Sequence, residues 1–171
     1  WRQPHDSLTN RPTISMTTPM VSLIGVPTDV GAGTRGSSMG PEALRVAGIA
    51  RAIAQFGVDV RDCGNLIGPA NPDLPAVNGF RHMPEVVAWN RGVHAAVHAE
   101  LKDGRLPIML GGDHCLAIGS VSAVARHCRE TGKSLRVLWF DAHADFNTAT
   151  MTPSGNIHGM PGACLCGHGP S

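Results

Sequence analysis

A chain of 171 residues with 42% hydrophobic content is long enough to bury one substantial core. Its 14 basic residues nearly cancel its 13 acidic ones, which argues against a nucleic-acid or membrane-surface partner and for a small molecule. No apolar run reaches membrane-spanning length, and five cysteines in no framework spacing predict free thiols in a reducing cytoplasm.

Residues 1–19 are polar, proline-containing and without periodicity, so a disordered tail is expected there and one domain over 20–171. Because the chain opens on Trp1, Met16 or Met20 is the expected natural start. Residues 20–26 read as a first strand, followed by a glycine-rich loop to Gly40. A helix is predicted from Pro41, with Glu42 suited to its positive end, and with Val46, Ile49, Ala50 and Ile53 on one face before Gly57. Residues 58–62 follow as a second strand, completing a βαβ unit. Residues 63–83, with Pro69, Pro72 and Pro75, should wander over the surface.

A second helix is predicted over 84–103, burying Val86, Trp89, Val93, Val97 and Leu101 and ending at Gly104. His94 and His98 on it have ligand spacing but no third partner, and are read as a solvated flank. The apolar run from Leu106 makes a third strand, and residues 115–131 a third helix on Leu116, Ile118, Val121, Val124 and Ala125. Cys115 and Cys128 are read as buried hydrophobes, and Cys164 with Cys166 as half a zinc site at most. Residues 135–140 form a fourth strand.

That fourth strand carries the chemistry. Asp141, His143 and Asp145 follow its end, and if the backbone stays extended their side chains share one side. Two carboxylates and an imidazole suit manganese, zinc, iron or magnesium better than a soft metal. The third strand repeats the design with Gly111-Gly112-Asp113-His114, and the carboxyl edge of a parallel sheet is where ligands bind. Beyond it, Asn147, Thr148, Ser154, Asn156 and His158 crowd neutral hydrogen-bonding groups into a loop. Gly31-Ala32-Gly33-Thr34-Arg35-Gly36 with Asp62 also matches a dinucleotide fingerprint. Its glycines, however, lie away from both the strand end and the helix start.

Together, Gly111 to His114, Asp141 to Thr148 and Ser154 to Gly159 resemble arginase, of the ureohydrolase superfamily, and the likeness extends from residue 20 to 171 through Arg35-Gly36 and Gly40-Pro41. The resemblance implies an α/β three-layer sandwich with a mostly parallel sheet, here its amino-terminal four strands. It implies two manganese ions, with His114 and Asp145 holding one, His143 the other and Asp141 bridging, so that a shared water becomes the nucleophile on L-arginine, giving L-ornithine and urea. His158 matches the histidine that exchanges protons near the leaving amine, and Asn147, Ser154 and Asn156 the contacts to the substrate α-carboxylate. A homo-oligomer is implied for the full-length form.

Two departures matter. The family supplies a second aspartate pair on a later strand, whereas here no aspartate or glutamate follows Asp145. Family strands also lie between the third and fourth strands present here, so those two should be separated by a gap. Alternatives are a non-catalytic chain holding one weak metal ion, and dinucleotide binding through Gly31 to Gly36.

Overall fold

The computed structural model of the chain describes residues 20–170. The expected tail over 1–19 and a start at Met16 lie outside the described residues. Three parallel strands form the sheet in the order β2-β1-β3: β1 is Val21–Val26, β2 Val60–Asn65 and β3 Leu106–Gly111. β1 is the central strand and all six of its residues are buried, the pattern of a parallel strand covered on both faces. Alternation divides it. Val21 and Leu23 join Leu110 under Ile49, Ala50 and Ile53 on one face, while Ile24 and Val26 join Trp89, Val93, Val97 and Leu116 on the other. Helices therefore cover both faces, and the expected three layers form around β1. Each fully buried side chain of this kind contributes about 1.5–3 kcal/mol.

The predicted first helix is two. α1 (Gly40–Val46) and α2 (Ile49–Ala54) are separated at Gly48, whose φ of 84° lies in the left-handed region that glycine tolerates. The break turns Ile49 and Ile53 inward and leaves Val46 89% exposed, so Val46 does not belong to the buried face. α3 (Met83–Lys102) buries Val86, Trp89, Val93 and Val97 as expected. His98 departs from the solvated flank assigned to it: it is buried, and its Nε2 lies 2.7 Å from Glu130 of α4 (Ala117–Glu130). His94 stacks on it, with ring centroids 5.9 Å apart. Cys115 is buried and Cys128 half-buried, and all five thiols are free.

Residues 135–140 are the main correction. They belong to no sheet among the described residues, and β3 pairs only with β1. Three strands, not four, are joined in the ladder. A cavity of about 300 Å³ lies between Pro107 and Met109 of β3 and Leu135 and Val137, floored by Val121 and Val124 of α4. The anticipated gap is there, and a strand without a neighbour has no ladder to join. Among the described residues no helix is long and apolar enough to cross a membrane.

Candidate metal centre

β3 ends at Gly111, and the chain turns through Gly112 and Asp113 into a short 3-10 helix, His114–Leu116. This places His114 at the carboxyl edge of the sheet, its side chain 39% exposed. Two carboxylates come to it from the other segment. Asp145 Oδ2 lies 2.5 Å and Asp141 Oδ2 3.2 Å from His114 Nδ1. One ligand atom from each of the three lies within 4.8 Å of the others, the single such group of three or more among the described residues. The Trp139 ring packs against His114, centroids 4.8 Å apart.

His143 is not gathered in. Its side chain is 82% exposed, with Nδ1 3.6 Å from Asp141 Oδ1. The reason is local. Residues 141–143 bend, the Asp141 Oδ1 accepts the His143 N–H at 2.9 Å, and Asp145 adopts a left-handed φ of 47°. Period-two alternation requires extended backbone, so it does not govern this stretch. The left-handed turn lets the Asp145 carbonyl accept the N–H of Gly162 at 2.8 Å, while its carboxylate, 11% exposed, faces His114. The backbone N–H of His143, helped by the nearby imidazoles, holds the Asp141 carboxyl below the usual carboxylate range.

An imidazole nitrogen converging with two carboxylate oxygens is a donor set that fits a divalent cation of the manganese, zinc or iron type. Without such a charge, two acids facing each other across one imidazole are mutually repulsive. Three donors form part of a shell, and His143 lies outside it.

The neutral loop lies on the same side. The Asn147 N–H donates to the Gly159 carbonyl at 3.0 Å, and the His158 N–H to the Gly31 carbonyl at 3.1 Å, which ties residues 147, 158 and 31 together through backbone. The side chains of Asn147, Ser154 and His158 belong to exposed residues. Ser154 Oγ accepts the Asn156 N–H at 3.2 Å, leaving its own O–H free to donate. The Asn156 side-chain oxygen is buried without a hydrogen-bond partner among the described residues. Sequence reasoning missed the Trp139 support beneath His114, and its only signal was an aromatic two residues before Asp141.

The dinucleotide features are otherwise engaged. Both oxygens of Asp62 accept from the Arg45 guanidinium, at 2.8 and 2.9 Å, and Gly31 is bonded to Asp113 and His158.

A parallel sheet covered on both faces, with an imidazole and two carboxylates gathered at its carboxyl edge, defines an α/β protein with a candidate metal centre. The family model "Arginase family" matches residues 19–169, so the chain belongs to the arginase family. It is 43% identical over 146 residues to an arginase of Brucella melitensis, a match covering 85% of this chain and 47% of that protein. The fold is similar to the solved arginase of Bacillus caldovelox, with a TM-score of 0.82 and 40% identity, covering 90% of this chain and 50% of that one. It is also similar to an Entamoeba histolytica arginase solved in complex with L-ornithine, with a TM-score of 0.80 and 34% identity, covering 91% and 52%. The chain thus spans about half the length of the relatives it matches.

Proposed function

We propose that this chain contributes one side of a manganese centre and the substrate-recognition loop of an arginase, hydrolysing L-arginine to L-ornithine and urea in the full-length protein. The observation that carries this reading is the meeting of His114 Nδ1 with carboxylate oxygens of Asp141 and Asp145. His114, Asp141 and Asp145 would hold one ion, and His143, turned inward, would help Asp141 hold the second. Bound there, manganese would supply positive charge that makes a water acidic enough to attack the guanidinium carbon near neutral pH.

The remaining steps belong to protein groups. His158, an exposed imidazole, accepts and returns protons near the leaving amine. Asn147 and the free hydroxyl of Ser154 donate to the substrate α-carboxylate, joined by the Asn156 amide; neutral donors select by geometry without a rival charge. Cytoplasmic residence, consistent with five free thiols, and a homo-oligomeric full-length form are part of the same proposal.

A second reading, a chain holding one weak metal ion without turnover, is favoured by the outward His143. Titrating the purified 171-residue chain with manganese while measuring urea release separates the two. Two ions with turnover support the first; one weak ion without urea supports the second.

A further inference from the structure

Asp113 neighbours His114 in sequence but is not among the gathered ligands. It is 7% exposed, and both its oxygens accept backbone N–H groups: Oδ1 from Cys115 at 2.9 Å, Oδ2 from Gly31 at 2.8 Å. The first bond caps the helical turn that carries His114. The second reaches into the loop after β1 and does nothing for the cap. Gly31 passes the constraint onward, because its carbonyl accepts the His158 N–H at 3.1 Å. Only glycine permits this approach, since a Cβ on residue 31 would fall 2.7 Å from both Asp113 Oδ1 and the Cys115 β-carbon. The preceding residue is fixed as well, its carbonyl lying 2.8 Å from His82 Nδ1.

We propose that Asp113 is a positioning residue: through Gly31 it fixes His158 relative to His114, holding the proton-exchanging imidazole and the metal-ligating imidazole in one rigid unit. The roles of those two histidines rest on the arginase reading above. One buried carboxylate thus does two separable jobs. A shorter side chain could keep the cap, but it could not reach Gly31.

The test uses that difference. Asp113→Ser keeps a capping oxygen for Cys115 and gives up Gly31. In metal-free, isotopically labelled chain, amide exchange at Gly31 and His158 should quicken by about tenfold, the loss of one buried hydrogen bond, with Ile24 and Val93 unchanged. Unchanged protection at His158 would show Asp113 to be a cap alone and overturn the proposal. If Ile24 and Val93 also lose protection, Asp113→Asn, which keeps the shape but only one acceptor, is read in the same way. Added manganese gives a second readout through broadening of histidine ring signals. Asp113→Ser should weaken broadening at His158 and preserve it at His114; equal broadening at both in the two proteins counts against positioning. Absence of broadening at His114 in the unsubstituted chain would count against the arginase reading, and the exchange result would still decide the role of Asp113.

Discussion

His82 has a left-handed φ of 54° and is 6% exposed, yet both ring nitrogens are used. Nδ1 donates to the Val30 carbonyl and Nε2 accepts the Leu74 N–H, each at 2.8 Å, so the ring is held as the neutral Nδ1–H tautomer. It ties the loop after β1 to the proline-rich connection. Truncation in His82→Ala leaves a buried carbonyl and an N–H without partners, and should lower unfolding stability by about 2 kcal/mol. Urea melts would show this as a reduced midpoint with unchanged slope. A loss below about 0.5 kcal/mol would mean water replaces both bonds. Nothing in the sequence marked His82, because a single histidine before a helix carries no spacing signal. His114, Asp141 and Asp145 were legible because strand end, glycine pair and acid-imidazole alternation coincide. The outward His143 was not, since a left-handed aspartate at 145 leaves no mark in composition or periodicity.

Between elements, α3 and α4 are joined by a polar contact as well as by their apolar faces. Glu130 accepts from Arg126 at 2.7 Å and lies 2.7 Å from His98, and these partners, Arg126 foremost, hold its carboxyl down at about 2 from an ordinary 4.5. A carboxylate lowered in the folded state adds stability that is complete above its unfolded value and is lost as pH falls through the folded value. Stability should therefore decline as pH drops from about 4.5 towards 2, and Glu130→Gln should flatten that part of the profile. Thermal melts across the range check this; an identical acid slope in the variant would contradict it. At this scale periodicity served α3, whose stripe Val86, Trp89, Val93 and Val97 is buried, but in α4 the buried positions are Ala117, Gly119 and Ala123, while Val121 and Val124 floor the cavity beside β3. It also misled where an outside condition decides the outcome. Residues 135–140 have the composition of a strand, but a ladder needs a neighbour, and Gly48 breaks α1 from α2 by a backbone angle that an apolar stripe does not encode.

Across the whole molecule, the segment lacking a ladder partner carries Val137, Leu138 and Phe140 at 46%, 71% and 92% exposure. Beside it a wider cleft of about 590 Å³ is lined by Ile118, Val121, Trp139, Phe146 and Leu165. An open strand edge beside exposed apolar groups promotes self-association. The 171-residue chain should sediment as concentration-dependent aggregates. Phe140→Lys should reduce that association without lowering the melting temperature, since the ring packs on almost nothing. Equal association in the variant would place the sticky surface elsewhere.

His114, Asp141 and Asp145 gather from two segments, and we propose that they hold a cation. Diffraction collected at the manganese absorption edge from manganese-soaked crystals of the chain tests this most directly. An anomalous peak is expected between His114 Nδ1 and the carboxylates of Asp141 and Asp145. No peak there, or one bound by other residues, would contradict it.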